Sequence, residues 1–240
     1  MNRKSFKTRS DEAEIMDDLA LPEPELKAAL GDLKRVNSLL GGHAVALAGL
    51  KPFLHQNAAG PCHILDIGCG DGEFLRHLSR FCLKRGISVK LTGWDRNAES
   101  LEAGREKNGK EFAITYELRD VLEFPELPKG PFVIVCNLFM HHFQDNEILK
   151  MLSHWKESEC KAIVINDLDR NPAAYYLFRL FGVIFMKSKV AIHDGLISIQ
   201  RGFRSADLMR YSREAGIKTF QVRWKWAFRY LWILNLKEKE

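Results

Sequence analysis

The chain has 240 residues, of which 46% are hydrophobic and 28% charged, and this composition excludes a largely disordered or low-complexity protein. The net charge of +5 is spread along the chain rather than gathered in one tract, so nucleic-acid binding is not favoured. The length fits one α/β domain with an added segment.

The cysteines, the N-terminal segment and the longest apolar stretch predict a soluble cytoplasmic protein. An odd number of cysteines without CxxC spacing argues against a disulfide framework and against a structural zinc site. The N-terminus lacks the apolar run of a signal peptide, so export is not expected. Residues 175–186 form the longest apolar stretch, but Arg179 interrupts it and it is shorter than the roughly 18 to 20 residues of a membrane span. We therefore predict a soluble cytoplasmic monomer or homodimer, and contact with a membrane or an apolar substrate stays open.

The N-terminal quarter has a helical pattern. Apolar residues recur at helical spacing in residues 26–40, and Gly41 and Gly42 end this pattern. A second apolar series, in residues 45–54, precedes the break at Gly60. We predict a helical cap or substrate lid over residues 1–60 and a main domain over residues 61–240.

From residue 62 onward, short apolar runs alternate with helical patterns, which is typical of a parallel sheet covered by helices. The predicted strands are 63–67, 89–94, 114–118, 132–136 and 162–165. Helices are predicted after the first strand, from an Asn97 cap to residue 104, over 173–185, and from a Ser205 cap to residue 214. Two aromatic-rich runs, 219–223 and 227–234, predict a closing hairpin. The expected fold is a doubly wound, mostly parallel sheet of seven strands.

A glycine-rich turn, Leu65-Asp66-Ile67-Gly68-Cys69-Gly70-Asp71-Gly72-Glu73, lies between the first strand and its helix. Glycines permit backbone conformations closed to other residues and let a ligand approach closely. A dinucleotide-binding turn requires a third glycine at position 73, and the chain has Glu73 there. Asp66 is instead suited to the ammonium group of an amino-acid-bearing ligand, directly or through water. S-adenosylmethionine (SAM) is such a ligand.

Asp95 ends the second predicted strand, 95 − 72 = 23 positions after Gly72. An acid about 20 residues beyond such a turn accepts hydrogen bonds from ribose hydroxyls. The alternative is a helix-entry residue beside Asn97.

These residues resemble motif I (LDIGCGDG) and motif II (GWD) of class I SAM-dependent methyltransferases, and the resemblance extends over about residues 62–236. It implies SAM as cofactor, S-adenosylhomocysteine as product, an adenine-amine contact at Asp120, and Val121 beside the adenine ring. It also implies that Asn137 and Leu138 face the methionine moiety. The complete set of cofactor candidates is Asp66, Gly68, Cys69, Gly70, Gly72, Asp95, Arg96, Asp120, Val121, Asn137 and Leu138.

Paired histidines follow the fourth predicted strand. The segment 132–143 resembles the corresponding motif of the ubiquinone and menaquinone biosynthesis methyltransferases, and Asn137 departs from the Asn-Pro-Pro-Tyr pattern of amino-group methylation. An imidazole with an ordinary pKa near 6.5 is largely neutral at cellular pH and can act as a base. His141 or His142 can therefore take a phenol proton. The alternative for each is a loop histidine bonded to backbone.

The segment after the fifth strand, with Glu14-Ile15-Met16-Asp17, resembles small methyltransferases encoded with bacterial type III polyketide synthases. This resemblance implies a phenolic or polyketide-derived substrate. The candidate substrate residues are Asp167, Arg170, Tyr175 and Arg201, with His193, placed in a predicted loop, as an alternative base. Packing is the alternative role for the aromatic residues. No metal-ligand set is predicted.

The sequence therefore predicts methyl transfer from SAM to an oxygen, or less favourably a carbon, of a small aromatic, quinol or polyketide-like metabolite. An RNA or protein methyltransferase is an alternative, since the run 223–230 alternates Trp, Arg and Lys in a way that would stack bases. A SAM-binding regulatory protein without catalysis is a second alternative, because its glycine turn would look the same.

Overall fold

The computed structural model describes residues 6–17, 22–54 and 60–237. Seven strands form one sheet in the order β3-β2-β1-β4-β5-β7-β6, and β7 runs antiparallel to both of its neighbours. The strands are β1 Cys62–Ile67, β2 Val89–Asp95, β3 Ile114–Leu118, β4 Phe132–Asn137, β5 Cys160–Leu168, β6 Thr219–Lys225 and β7 Arg229–Asn235. The predicted fold class is confirmed.

The helices are α1 Glu23–Leu39, α2 Gly42–Leu50, α3 Glu73–Leu83, α4 Ala98–Asn108, α5 Asp145–Glu157, α6 Pro172–Phe185, α7 Lys189–Arg201 and α8 Ser205–Glu214. Neither α5 nor α7 was predicted, so the predicted loop around His193 is wrong. Ser188 caps α7 by accepting a hydrogen bond from the Ala191 amide. The predicted Ser205 cap is one residue late, because Ser205 is already helical and Arg204 is the cap position.

Apolar layers cover both faces of the sheet. One layer contains α5 and α8, whose Trp155 and Tyr211 are fully buried with Trp232 of β7. The other contains α2, α3 and α4, represented by Leu50 and Leu75. Burial of a large apolar side chain contributes about 1.5 to 3 kcal/mol, so both layers hold the strand ends in fixed positions.

Helix α2, predicted as part of the cap, packs directly on the sheet. An added Cβ on Gly49 would lie 2.6 Å from Cγ1 of Val164, which shows how closely this helix approaches β5. The cause is its composition, because it is apolar on all sides and must be buried. The division into a cap over residues 1–60 and a domain over 61–240 stays a prediction, and residues 1–5, 18–21 and 55–59 lie outside the described residues.

None of the helices in the described ranges has both the length and the apolar character needed to cross a bilayer. The five cysteines are free thiols, and Cys69, Cys82, Cys136 and Cys160 are buried.

Candidate active site

The glycine-rich turn joins β1 to α3 at the edge of the sheet where the parallel strands end. Gly70 has φ +53°, and a Cβ added there would meet no atom within 4 Å, so the tip of the turn has open space beside it. Gly72 has φ +72°, and its Cβ would collide with Oη of Tyr116. The turn therefore needs glycine at both positions for different reasons, open approach at one and close packing at the other.

Two carboxylates flank this turn. Asp95 accepts hydrogen bonds from the Gly70 amide (2.8 Å) and the Asn97 amide (2.9 Å), so it fixes the loop tip and the entry to α4. Asp66 is fully buried, and its Oδ1 has no hydrogen-bond partner among the described residues. Burial, and then the charge of Asp95, hold the pKa of Asp66 well above its usual value. An ammonium group would supply the missing partner, so this cradle fits SAM.

Three further cofactor candidates use their side chains locally. The Cys69 side chain packs against Gly93 and the core, and burial raises its pKa, so only its backbone faces the turn. The Asp120 carboxylate accepts a hydrogen bond from the Leu122 amide (2.9 Å) and so caps a short 3-10 turn. Val121 is buried in the core layer of α5 and α8.

The remaining cofactor candidates surround the end of β4. Asn137 accepts a hydrogen bond from Nδ2 of Asn166 (2.6 Å), and Leu138 has φ +56°, an uncommon conformation for a branched residue. Arg96 is exposed after β2, and its charge contributes to lowering the pKa of His142. The ends of β2 and β4 therefore bring these groups to one region.

His141 follows β4 in a short 3-10 turn and is 3% exposed. Its Nδ1 lies 2.7 Å from Oδ1 of Asp167, near the end of the neighbouring strand β5. Burial alone lowers the pKa of His141, but the charge and hydrogen bond of Asp167, with the charge of Glu14, outweigh burial and raise it. Burial raises the pKa of Asp167, and the charge and hydrogen bond of His141 reverse that effect to lower it. The two side chains therefore form a buried ion-pairing dyad.

His142 lies beside the dyad, with its ring centroid 4.3 Å from that of His141. Burial, followed by the charges of His141 and Arg201, lowers the pKa of His142 well below the usual range. This imidazole is therefore neutral at cellular pH.

Glu14 is a site residue that the sequence did not identify. It is buried, and its Oε1 lies 3.8 Å from Nε2 of His141 and 4.0 Å from Nδ1 of His142. Ser198 of α7 donates a hydrogen bond to the same oxygen (2.7 Å). The Asp194 carboxylate, also on α7, accepts hydrogen bonds from the backbone amides of Ile15 and Met16, the residues that follow Glu14. Helix α7 therefore positions the Glu14 segment beside the histidine pair.

Residues 6–17 form an N-terminal strap across this region. The Arg9 guanidinium donates to the carbonyl oxygens of Arg201 (2.8 Å) and His141 (3.0 Å) and to Oδ1 of Asp145 (3.1 Å). Arg201 in turn donates to the carbonyl oxygens of both histidines and of Glu12. Both arginines therefore hold the histidine turn and the strap together.

Two of the predicted substrate residues lie among structural contacts. The Arg170 guanidinium is 2% exposed and donates to the carbonyl oxygens of Phe6 (3.2 Å) and Gly202 (2.6 Å) and to Asp207 (3.0 Å), so it has an anchoring role. The Tyr175 ring is buried against Phe6.

His193, the alternative base, makes no hydrogen bond or ion pair with His141 or Asp167 among the described residues. His193 lies on α7 with its side chain 44% exposed, and its contacts are with Asp194 (3.1 Å) and Glu12 (3.9 Å). Of the predicted catalytic histidines, the structure thus brings His141 and His142 together.

The ligand atoms of Glu14, His141 and His142 all lie within 4.8 Å of one another, a spacing compatible with a divalent cation. The sequence had not predicted a metal ligand set. The positive charge of Arg201 opposes protonation of both histidines, although Asp167 and Glu14 outweigh it at His141, and the same charge disfavours a divalent cation at this place. The arrangement therefore suits proton binding better than metal binding.

Comparison with known proteins places this geometry in a class. Residues 64–158, which contain the glycine turn, Asp95 and the histidine pair, match the family model described as a methyltransferase domain. No curated protein sequence matches the chain.

Solved structures share the fold at low sequence identity. The plantazolicin methyltransferase BpumL in complex with SAH aligns with TM-score 0.64 and 15% identity over 89% of this chain and 91% of that chain. The CMeT domain of the citrinin polyketide synthase aligns with TM-score 0.57 and 12% identity over 77% of this chain and 48% of that chain. A putative O-methyltransferase from Nostoc punctiforme PCC 73102 aligns with TM-score 0.58 and 15% identity over 90% of this chain and 62% of that chain.

The fold and the glycine-turn site define a class I methyltransferase architecture. The chain is a SAM-dependent methyltransferase, and SAM is its methyl donor.

Proposed function

We propose that the enzyme methylates a hydroxyl oxygen of a small aromatic, quinol or polyketide-like metabolite, with His141 as the general base. The observation that carries this proposal is the 2.7 Å contact between Nδ1 of His141 and Oδ1 of Asp167. An imidazole oriented by a buried carboxylate is the usual arrangement for a histidine that removes a hydroxyl proton.

The cofactor cradle in this proposal consists of the glycine turn and its two carboxylates. Asp66 receives the ammonium group, and Asp95, which already holds the Gly70 amide, receives the ribose hydroxyls. Arg96, Asp120, Val121, Asn137 and Leu138 stay proposed contacts on the same edge, together with the backbone of Gly68, Cys69 and Gly72. When bound, SAM supplies an electrophilic methyl group on a sulfonium, for in-line displacement by the acceptor.

The proton of the acceptor goes to Nε2 of His141. Because Nδ1 donates to Asp167, Nε2 carries the lone pair of the neutral ring. The Oε1 atom of Glu14 lies 3.8 Å from Nε2, too far for a hydrogen bond but near enough for its charge to stabilise the imidazolium that forms. Asp167 stabilises the same cation from the other side. A base of this kind contributes typically 10² to 10⁴ in rate.

The strap and its anchors exclude water from the base. Arg9 and Arg201 fix the histidine turn through backbone carbonyls, and Glu14 lies 3.8 Å from Nε2 of His141. A dry site strengthens each electrostatic interaction within it and prevents wasteful reactions with water. His142, neutral and more exposed than His141, is a proposed acceptor contact.

The acceptor class is supported by resemblance and by neighbours. A polyketide synthase domain and a putative O-methyltransferase are among the structural neighbours, in agreement with a polyketide-like acceptor and an oxygen target. We therefore propose that the reaction belongs to secondary metabolism.

The test uses methyl-labelled SAM with a panel of alkylresorcinols, quinols, hydroxylated aromatics and, as competitors, RNA and peptides. The proposal predicts S-adenosylhomocysteine formation only with a hydroxylated small molecule, and a methyl ether in the product. A methylated ring carbon would contradict the oxygen target, and methylation of RNA or peptide alone would overturn the acceptor class.

A further inference from the structure

Helix α6 exposes apolar side chains on its outer face. Its inner face, including Ala174, Tyr175 and Gly182, is buried. The outer face presents six large apolar residues that are 54% to 72% exposed: Tyr176, Leu177, Leu180, Val183, Ile184 and Phe185. A contiguous patch of this kind marks an interaction surface.

The apolar surface continues beyond the C-terminal half of the helix. A groove of about 210 Å³ lies between α1 and α6, and Leu39, Phe181 and Phe185 are among its lining residues. Leu39 is itself largely exposed. The patch therefore combines an apolar ridge with an adjacent groove.

Tryptophans mark the other end of the patch. Nε1 of Trp224 donates to Oδ2 of Asp169 (3.1 Å), and this oxygen also accepts a hydrogen bond from Asn171, the cap of α6. Trp226, in the turn that follows β6, is 72% exposed. The end of β6 thus brings the Trp224 indole to the N-terminal end of α6, and the next turn exposes a second indole.

The exposed charged side chains between residues 170 and 193 are all cationic, and Asp32, an acid that lines the adjacent groove, is buried and accepts hydrogen bonds from backbone amides. The sequence contains no Asp or Glu between Asp169 and Asp194, and both of these acids are buried. The same interval contains Arg179 on the helix and Lys187 and Lys189 directly after it, all exposed. Apolar residues bordered by tryptophan and by lysine or arginine are the composition of helices that lie in the headgroup region of a bilayer.

We propose that the outer face of α6, with the β6–β7 turn, docks on an anionic lipid surface. The helix has 14 residues and lies along the surface rather than across it. In a symmetric dimer through this face, the same patch meets itself and brings the cations of both copies together, so a second copy is the poorer partner.

The experiment is co-sedimentation of the full chain with vesicles of phosphatidylcholine alone and with vesicles that also contain phosphatidylglycerol. Binding is expected only to the anionic vesicles, with a loss of affinity in high salt. The double variant Val183→Ser/Ile184→Ser is expected to bind about tenfold more weakly. Leu83→Ser, an equally exposed apolar residue on α3, serves as matched control and is expected to bind as the wild type does.

Several results would overturn the proposal. These are absence of binding to the anionic vesicles, equal binding to both kinds of vesicle, and equal loss in the Leu83→Ser control. Light scattering that shows a dimer dissociated by the double variant would assign the face to a second copy instead. Cofactor affinity, measured by calorimetry, is expected to be unchanged in all variants, so this test is independent of the proposed reaction.

Discussion

Nδ1 of His141 lies 2.7 Å from Oδ1 of Asp167, although the two residues are 26 positions apart in the chain. The adjacent strands β4 and β5 end at the same edge of the sheet, which brings the loop after β4 to the last residues of β5. A proton-accepting pair thus arises from the topology of the sheet, beside the glycine turn at the end of β1.

The first prediction concerns this pair and pH. The pKa of His141 is raised above 6.5 mainly by Asp167, against the lowering effect of burial. A neutral base is required, so the rate rises with pH through that pKa. Asp167→Asn removes the raising effect, so the acidic limb of the pH–rate profile moves to lower pH while the maximal rate falls. An unmoved limb in a variant that keeps its wild-type circular dichroism spectrum would contradict the role of Asp167.

The second prediction concerns the open space at Gly70. Gly70→Ala forces a left-handed conformation that costs roughly 1 to 2 kcal/mol of stability. The added Cβ meets no protein atom but enters the proposed cofactor cradle. The affinity for S-adenosylhomocysteine is therefore expected to fall by about tenfold or more, and a tenfold loss corresponds to about 1.4 kcal/mol of binding free energy.

The matched control for this variant is Gly86→Ala. Gly86 has φ +64° and equally open surroundings, and it precedes β2 at the opposite edge of the sheet. The same loss of stability with unchanged affinity is expected there. Equal affinities for Gly70→Ala and wild type in calorimetry would place the cofactor elsewhere.

Stability at low pH provides a third prediction. Burial raises the pKa of Asp71, but the hydrogen bond from Lys107 and the charge of Lys34 outweigh burial and lower it to about 2. The stabilisation is therefore present above the ordinary pKa of 3.8 and is lost as the pH falls towards about 2. After an allowance for solvent screening, Asp71→Asn is expected to reduce the free energy of unfolding by about 1 to 2 kcal/mol at pH 7.

Urea denaturation at several pH values measures this effect. The difference between wild type and Asp71→Asn should shrink as the pH falls below 3.8. Glu126→Gln removes the exposed pair with Lys129 and should leave stability unchanged. A constant difference across the acid range would show that the Asp71 charge is not responsible.

Metal removal is the fourth prediction. The Arg201 charge beside Glu14, His141 and His142 disfavours a cation, so dialysis against a chelator should leave the rate of methyl transfer unchanged. The measurement is the rate before and after dialysis, together with metal analysis of the protein. If activity were lost on dialysis and restored by zinc or another divalent ion, the prediction would be wrong and the cluster would be a metal site.

Much of the fold follows from local sequence patterns. Strand β1 is mostly apolar and β2 alternates apolar and polar residues over its first half, and the glycine turn between β1 and α3 has a spacing that permits few other structures. Strand β5 is longer than predicted because its polar end is buried: Asn166 donates to the Gly42 carbonyl oxygen and Asp167 pairs with His141. Hydropathy alone ends this strand too early.

Other parts of the site depend on distant contacts that no local pattern reveals. Glu14 lies in a strap without regular structure before it, and its partner Ser198 is 184 positions away. Helix α7 was missed because buried polar residues, including Asp194 and Arg201, interrupt its apolar face while serving the strap and the histidine turn. Such residues become recognisable only when the elements they connect are in place.

The most direct test of the account is methyl transfer by His141→Gln, measured as a single turnover with labelled SAM and the acceptor found in the panel. The proposed role of His141 predicts a rate about 10² to 10⁴ times lower than that of the wild type, with unchanged affinity for S-adenosylhomocysteine, and a wild-type rate for His193→Gln. A His141→Gln variant that transfers methyl groups at the wild-type rate would contradict it.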